Sequence, residues 1–267
     1  MIIRKRGQYY GTKQEEWQVQ GVGLSEYGYQ GERTDWHYHE NPYFMYVLQG
    51  NMRDINKAQR TACPAGSLVF LNWQEMHFNE KVSSEARGFH IEFDRKWFEE
   101  KQLDIGLWEG SQLLEDPRLH HLLAKIYYEF NCRDAFSETA VELLLLQLCE
   151  GIERNSRTAA AGPPSWVPRL KEMLHEETED LSLRYLSEQL GVHPAHLSRA
   201  IPKYLSSNLG EYMRQQKVKQ AIGMLTDGRL SLTEIAYVCG FSDQSHFTRT
   251  FKRYFGKPPK AFRDMIA

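Results

Sequence analysis

The C-terminal third of the chain carries its clearest hydrophobic pattern. Leu232, Ile235, Ala236 and Val238 recur at helical spacing, and they predict a short helix with one apolar face. The tripeptide Cys-Gly-Phe at 239–241 interrupts this pattern. Glycine tolerates the left-handed backbone of a tight turn, so the pattern predicts that the helix ends there.

A second amphipathic helix is predicted directly after this turn. Phe247, Phe251 and Tyr254 recur at intervals of four and three and share one face, and Ser242 is a suitable N-cap. The other faces carry polar and basic side chains, namely Gln244, Ser245, Thr248, Arg249, Lys252 and Arg253. Gln and Arg can hydrogen bond to base edges in the major groove of DNA, and Lys and Arg can contact phosphates.

The same pattern occurs once more upstream, between residues 182 and 213. Gly191 matches Gly240 at an offset of 49 residues, and Leu197 matches Phe247 at an offset of 50. A repeat of this length predicts two copies of one supersecondary unit. We expect two helix-turn-helix units side by side, each offering its second helix to successive major grooves.

The N-terminal 93 residues have a different pattern, which is typical of β-strands. Short apolar segments such as Tyr43–Leu48 and Gly88–Phe93 lie between turn signals that contain glycine, proline or asparagine. Many short strands at this spacing predict a sandwich or a small barrel.

The pattern becomes helical over residues 94–153. Longer helices are predicted to begin near Pro117 and Ser137. The run Leu143–Leu146 is apolar on nearly all sides, so we expect this helix to be buried or to lie against a partner. We expect both helices to form a homodimer interface, and packing wholly against the β-strands is the competing interpretation.

These patterns predict an α+β chain with two domains. Residues 1–153 form the N-terminal domain, with strands first and helices after residue 94. Residues 154–165 contain small residues and two prolines without a core pattern, so they are predicted to be a linker. Residues 166–267 form an all-α domain, whose first helix is predicted to span residues 167–177.

Charge and cysteine content are consistent with this division. From Trp166 onward there are 15 Lys/Arg and 11 Asp/Glu, a charge of +4, whereas the remainder carries −6. A basic C-terminal domain fits a nucleic-acid partner. The four cysteines have no paired spacing and are expected to be buried thiols in the cytoplasm. No apolar run is long enough to span a bilayer, and the first ten residues lack the apolar region of a secretory signal, so no membrane partner is expected.

The second copy has a specific signature, I-A-x-x-C-G-F-x-D-x-S-H-F-x-R-x-F-K-x-x-F-G, followed by Pro258-Pro259 and Phe262-Arg263. This signature resembles that of the tandem helix-turn-helix domain of AraC/XylS-family bacterial transcription regulators, and the resemblance covers about the last hundred residues. The first copy departs from the family pattern, because Pro202 and Ser206 stand where a helix former and glycine are usual. We therefore expect its second helix to be kinked or shortened.

The resemblance implies a sequence-specific DNA-binding transcription regulator that is controlled by a small-molecule effector and is not an enzyme. Its implied partners are double-stranded DNA, the effector and a second copy of the chain, with RNA polymerase as a further candidate. The residues predicted to face DNA are Ala195, His196, Ser198, Arg199 and Lys203 in the first unit and Gln244, Ser245, Thr248, Arg249, Lys252 and Arg253 in the second.

A second resemblance lies in the N-terminal domain. The spacing Gly31-x5-His37-x-His39-x3-Tyr43-x6-Gly50 resembles the first cupin motif, with Tyr43 in place of the usual glutamate. A later stretch that contains His77 resembles the second motif. In cupin enzymes the equivalent residues bind a metal, which implies His37, His39 and His77 as ligands here. Because the carboxylate is absent, we favour hydrogen-bonding histidines in an effector pocket, and no cofactor is expected.

The predicted effector pocket combines the histidines with nearby aromatic residues. Its residues are His37, His39, Tyr43, Tyr46, Trp73 and His77. Alternation along the strand puts His37 and His39 on one face and Trp36 and Tyr38 on the other. The resemblance to cupins implies that the histidine face points inward. Two alternatives remain open at this point. One is a metal-dependent cupin enzyme, and the other is a ligand-free dimerisation module, each fused to the DNA-binding domain.

Overall fold

The fold is described from a computed structural model of the chain, covering residues 2–103, 110–160, 162–175 and 181–266. The strands are β1 (Ile2–Arg4), β2 (Thr12–Val19), β3 (Val22–Gly28), β4 (His37–His39), β5 (Tyr43–Gln49), β6 (Asn51–Asn56), β7 (Arg60–Pro64), β8 (Leu68–Leu71), β9 (His77–Lys81), β10 (Arg87–Phe93) and β11 (Ser111–Leu113). The helices are α1 (Arg95–Glu100), α2 (Pro117–Cys132), α3 (Ser137–Ala160), α4 (Trp166–His175), α5 (Leu183–Leu190), α6 (Pro194–Leu205), α7 (Leu209–Asp227), α8 (Leu232–Val238), α9 (Gln244–Phe255) and α10 (Pro259–Ile266).

The strands form two facing sheets, as the short-strand pattern predicts. Sheet A has the order β1-β4-β9-β6-β7, and sheet B has the order β11-β8-β5-β10-β3-β2. β1 pairs with β4 in parallel, and the other paired strands are antiparallel. Side chains from both sheets fill the space between them, including Met45 and Val69 from sheet B and Met52 and Cys63 from sheet A. We refer to this space as the barrel interior.

The outer face of sheet B is covered by helices. Phe89 of β10 contacts Tyr127 and Phe130 of α2, with ring centroids 5.0 Å apart in both pairs. The same hydrophobic core continues without a break into the C-terminal domain, where it includes Phe247 and Phe251 of α9. The first helix-turn-helix unit has a core of its own around Leu186 and Leu197.

Helix α2 does not lie free for a homodimer interface, nor does it pack only against the strands. It packs against α3 on one side and against α7, α9 and α10 of the C-terminal domain on another. Helix α3 does keep exposed apolar side chains, since Phe136 just before it is 78% exposed and Leu143 is 56% exposed. The homodimer remains a prediction, and of these two helices it is α3 that has exposed apolar side chains for it.

The predicted linker is partly helical. Helix α3 continues to Ala160, so residues 154–160 extend the helix of the N-terminal domain. Alanine and arginine favour helix even without a core-facing stripe, which explains why the absence of a core pattern was misleading. Residue 161 lies outside the described residues, as do residues 176 and 177 at the end of the predicted 167–177 helix.

Three further differences concern single residues. The N-cap of α9 is Asp243, whose carboxylate accepts from the backbone N–H of His246, so the prediction of Ser242 as N-cap is wrong. Val238 is 54% exposed and does not share the buried face of α8. Cys132 is exposed, whereas the other three cysteines are buried as expected.

Among the described helices, none is both long and apolar enough to cross a membrane.

Candidate DNA-binding and ligand-binding sites

The second helix-turn-helix unit is built as the sequence pattern predicts. Ser231 and Glu234 form a capping box at the start of α8, and Gly240 takes a left-handed conformation with φ of 69° in the turn. The N–H of Phe241 closes this turn on the carbonyl oxygen of Ala236 at 2.8 Å. The start of α9 lies close to the start of α8, because a side-chain hydrogen bond joins Thr233 and Gln244.

Helix α9 buries one face and exposes the other. Phe247, Phe251 and Tyr254 are buried, and the predicted DNA-facing residues lie on the remaining surface. Gln244, Ser245, Arg249, Lys252 and Arg253 are exposed, and Thr248 is half-buried. A continuous polar and basic surface on the second helix of such a unit is what major-groove contact requires.

The first unit repeats this construction. Gly191 ends α5 with φ of 62°, and the N–H of Val192 bonds to the carbonyl oxygen of Ser187 at 3.1 Å. The predicted DNA-facing residues Ala195, His196, Ser198, Arg199 and Lys203 are all exposed on α6. The structure therefore gives both units an exposed helix surface of the same kind.

Of the expectation that Pro202 kinks or shortens the first recognition helix, the shortening is wrong, and the kink stays a prediction. Helix α6 has 12 residues and contains Pro202, and α9 has the same length. Proline removes the bond to the carbonyl oxygen four residues earlier, which belongs to Ser198. Ser198 is an exposed residue, and we expect water to satisfy its carbonyl oxygen. Ser206 ends α6 in a left-handed conformation with φ of 58°, as Gly256 does in the second copy.

Helix α7 links the two units. It has 19 residues, which corresponds to about 28 Å of α-helix. Adjacent major grooves on one side of a duplex lie about 34 Å apart. We therefore expect a connecting helix of this length to hold the two recognition helices near that spacing.

The N-terminal domain brings three histidines together in the barrel interior. His37 of β4 pairs directly with His77 of β9 across sheet A, and His39 lies two residues further on the same face. All three are buried, which confirms that the histidine face points inward. One ring nitrogen of each histidine lies within 4.8 Å of a ring nitrogen of each of the other two.

Backbone carbonyls orient two of these rings. Nδ1 of His37 lies 2.8 Å from the carbonyl oxygen of Asp35, and Nδ1 of His77 lies 2.9 Å from that of Glu75. A carbonyl oxygen only accepts hydrogen bonds, so both Nδ1 atoms carry the proton and both Nε2 atoms keep a lone pair. Metal-binding histidines in proteins are held in this way.

The third histidine and Tyr43 complete the cluster. Nδ1 of His39 is buried and has no hydrogen-bond partner among the described residues. The hydroxyl of Tyr43 lies 3.2 Å from Nε2 of His77, where it can donate to that lone pair. These three histidines therefore fit a metal ion chemically, with Tyr43 beside them where a carboxylate would complete the cupin set. We call His37, His39, His77 and Tyr43 the histidine cluster.

Burial keeps the cluster neutral. Desolvation, with a smaller repulsion from His77, lowers the pKa of His37 to about 3. Desolvation also lowers the pKa of His77 to about 4 and that of His39 well below its usual range. Neutral imidazoles can accept hydrogen bonds or bind a cation without first losing a proton.

Two residues of the predicted pocket lie elsewhere. Tyr46 belongs to the core on the outer face of sheet B, so the prediction that it shares a pocket with the histidines is wrong. Tyr43 and Tyr46 are three residues apart on one strand, and an odd separation puts side chains on opposite faces. Trp73 follows β8 and packs beneath the guanidinium of Arg95, 4.0 Å from the ring centroid.

Two family models match the chain. An AraC-like ligand binding domain matches residues 20–149, and a helix-turn-helix domain matches residues 186–265. The probable transcription factor PqrA of Proteus vulgaris is 32% identical over 89 residues, which cover 33% of this chain and 73% of that protein. The chain belongs to the AraC family of transcription regulators.

Other relatives of this AraC-family protein are more distant or longer. The Msm operon regulatory protein of Streptococcus mutans is 31% identical over 115 residues, covering 43% of this chain and 40% of that protein. An uncharacterised helix-turn-helix-type regulator of Staphylococcus aureus is 22% identical over 82% of this chain, and the match spans 31% of that protein. The chain therefore spans less than half the length of these two relatives. ToxT of Vibrio cholerae, a solved structure, is 12% identical with a TM-score of 0.43, covering 92% of this chain and 98% of that one.

The ligand-binding domain of this AraC-family protein contains inward-facing groups that sequence reasoning missed. The ring of Tyr9 stacks on His39 at 4.8 Å and on His90 at 3.8 Å between centroids. Buried Glu92 accepts hydrogen bonds from the hydroxyl of Tyr9 at 3.1 Å and from the amide of Asn41 at 3.0 Å. His90 and Glu92 alternate with apolar residues along β10, and this alternation is a signal that could have found them.

Proposed function

We propose that the protein is a sequence-specific DNA-binding transcription regulator whose N-terminal domain binds a small effector. The observation that supports this most strongly is the pair of exposed helix surfaces on α6 and α9. Both helices have 12 residues, bury an apolar back and follow a glycine turn. A single surface of this kind could belong to an ordinary helical domain, whereas two copies joined by one helix favour a bipartite DNA site.

In this proposal the start of each recognition helix reads base edges. The base-reading residues of the second unit are Gln244, Ser245, Thr248 and Arg249, and those of the first are Ala195, His196, Ser198 and Arg199. Lys203, Lys252 and Arg253 lie further along the helices and contact phosphates. Each unit has one arginine among its base-reading residues. The first unit presents fewer hydrogen-bonding side chains to the bases, because Ala195 has only a methyl group.

The histidine cluster is the proposed effector site. Its three histidines are polar and buried, and the aromatic rings of Tyr9 and Tyr43 flank His39, so the cluster offers both hydrogen bonds and stacking to a small ligand. A first-row divalent metal ion is a second candidate ligand. The protonated Nδ1 atoms of His37 and His77, which direct two lone pairs inward, favour that candidate.

Regulation, not catalysis, is the proposed activity of the whole chain. The named curated relatives are regulators, and Tyr43 stands where a metal-dependent cupin enzyme would have a carboxylate ligand. We further propose a cytoplasmic homodimer that contacts its partner through the exposed side of α3 around Phe136 and Leu143. RNA polymerase is a proposed partner once the protein is bound to DNA.

Hydroxyl-radical footprinting on a selected DNA fragment tests whether α6 and α9 contact two separate DNA segments. We expect two protected segments per protomer, about one helical turn apart, on the same side of the duplex. Substituting Arg249→Ala should weaken protection of one segment, and Arg199→Ala should weaken that of the other. A single protected segment that responds to both substitutions would contradict the proposal.

A further inference from the structure

A side-chain hydrogen bond connects the two helices of the second helix-turn-helix unit. Thr233 lies in the first turn of α8, and its hydroxyl donates to Oε1 of Gln244 at 2.6 Å. Gln244 is the first residue of α9, and both side chains are exposed. Residues at this end of a recognition helix are the ones that reach base edges.

This bond decides which end of the Gln244 carboxamide is free. A carboxamide has a carbonyl oxygen that accepts hydrogen bonds and an amino group that donates them. Because the Thr233 hydroxyl holds the carbonyl oxygen on the side of α8, the amino group remains free to meet DNA. Adenine, guanine and thymine each present an acceptor in the major groove, whereas cytosine presents only a donor.

We propose that Thr233 is a positioning residue that fixes Gln244 as a hydrogen-bond donor toward the major groove. The base pair facing Gln244 is then selected against cytosine on the contacted strand. This inference rests on the proposed DNA-binding function and adds a rule of base specificity to it. The energy involved is that of one exposed hydrogen bond, so cytosine is depleted roughly three- to tenfold at that position.

The first unit does not have the same pair of residues. At the offsets of 49 and 50 residues, Arg184 takes the place of Thr233 and Pro194 takes that of Gln244. Proline has no side-chain hydrogen-bonding group. Nε of Arg184 instead donates to Glu188 of its own helix at 3.0 Å. Substitutions at Thr233 should therefore change one position of the operator and leave the segment read by α6 unchanged.

The experiment is a selection of bound duplexes from a randomised DNA library with the full-length protein, followed by sequencing. Gln244→Ala first locates the position, because base frequencies should level out where Gln244 reads. Thr233→Val keeps the shape of the side chain but removes the hydroxyl, so cytosine depletion at that position should disappear. Thr233→Ser keeps the hydroxyl and is the matched control, which should retain the depletion.

A second substitution, at Gln244, exchanges the hydrogen-bond donor for an acceptor. Gln244→Glu replaces the amino group with an acceptor, so cytosine should become the favoured base at that position. The inference is overturned if Thr233→Val selects the same bases as the unsubstituted protein. It is equally overturned if the unsubstituted protein prefers cytosine there, because the carbonyl oxygen would then face the DNA.

Two remaining outcomes separate this inference from the proposed function. If Gln244→Ala changes no position while the protein still enriches a defined sequence, Gln244 reads no base and only the inference fails. If the unsubstituted protein enriches no sequence at all, the DNA-binding proposal fails, and the inference fails with it.

Discussion

His121 of the N-terminal domain donates a hydrogen bond from Nε2 to the backbone carbonyl oxygen of Tyr254, 2.8 Å away in the last turn of α9. Its ring also stacks on Phe255, with centroids 4.7 Å apart and planes 12° from parallel. One side chain of α2 thus contacts the end of the second recognition helix. A change in the ligand-binding domain that moves α2 would reach α9 directly through this contact.

We predict that His121→Ala lowers the free energy of unfolding by about 1–3 kcal/mol, since it removes a half-buried hydrogen bond and an aromatic stack. His121→Phe keeps a ring but loses the N–H, so its loss should be smaller. Urea denaturation followed by circular dichroism measures both variants. An alanine variant as stable as the unsubstituted protein would show that the contact contributes nothing.

Acid should destabilise the protein through His120 and His121. Burial is the main cause that lowers the pKa of His120 to about 3 and that of His121 to about 4. Both residues have a pKa of about 6.5 when unfolded, so the unfolded chain binds more protons below that pH. The stability that these two neutral histidines contribute is therefore fully present above pH 6.5, and it is lost as the pH falls toward the folded pKa values.

The expected loss between pH 7.5 and pH 5 is about 2 kcal/mol for each of these two histidines. His120→Gln should show a shallower pH dependence than the unsubstituted protein, because one of the buried histidines that titrate on unfolding is gone. Urea denaturation at several pH values makes the comparison. An identical pH dependence in the variant would contradict a neutral, buried His120.

Local pattern predicted the features that repeat or alternate. The turns at Gly191 and Gly240 follow from the position of each glycine at the end of an apolar helical pattern, because glycine accommodates the left-handed conformation there. Strand alternation puts His37 and His39 on one face, and the resemblance to cupins predicted that this face points inward. Applied with the same care, alternation would also have separated Tyr43 from Tyr46 and would have found His90.

Contacts between distant parts of the chain could not be predicted in this way. His121 and Tyr254 are 133 residues apart, and no periodicity relates them. The tolerance of Pro202 in α6 also depends on context, because both Pro202 and Ser198 lie on the exposed side of the helix. Helix propensity, not a core pattern, carries α3 to Ala160, so a search for buried faces ended the helix too early.

If the histidine cluster binds a metal ion, adding Co²⁺ or Zn²⁺ to the metal-stripped protein should raise its melting temperature. A ligand that binds only the native state stabilises it by mass action, so the rise should grow with metal concentration. His77→Ala removes one ligand and should abolish most of the rise. Tyr43→Phe removes only a hydroxyl that competes with the metal for Nε2 of His77, so this variant should keep the rise in melting temperature.

Calorimetric titration with the same ions gives an independent readout of that prediction. Heat of binding near one equivalent that disappears in His77→Ala supports a metal effector. No heat and no change in melting temperature in the unsubstituted protein would exclude these ions as ligands of the cluster and leave an organic effector.

Replacing Pro202 by alanine should stabilise the first recognition helix. Alanine restores a backbone N–H that can bond to the carbonyl oxygen of Ser198, and we expect the free energy of unfolding to rise by about 1 kcal/mol or more. Lys203→Ala is the matched control on the same exposed stretch of α6 and should change stability by less than about 0.5 kcal/mol. Equal or lower stability of Pro202→Ala would mean that the proline is accommodated without loss.

The central claim is that α6 and α9 read a defined DNA sequence. Its most direct test is competition binding of the purified protein between fragments selected from the source genome and random duplex DNA at moderate salt. Arg249→Ala should lower affinity for the selected fragment by about 1–3 kcal/mol and reduce its preference over random DNA. Lys252→Ala should weaken both kinds of DNA alike, because a phosphate contact carries no sequence information.

The account predicts that, in at least one of the two states, with effector or without it, the selected fragment binds at least about a thousandfold more tightly than random DNA. Binding that is equal for all fragments in the presence and absence of metal ions and metabolites would contradict it.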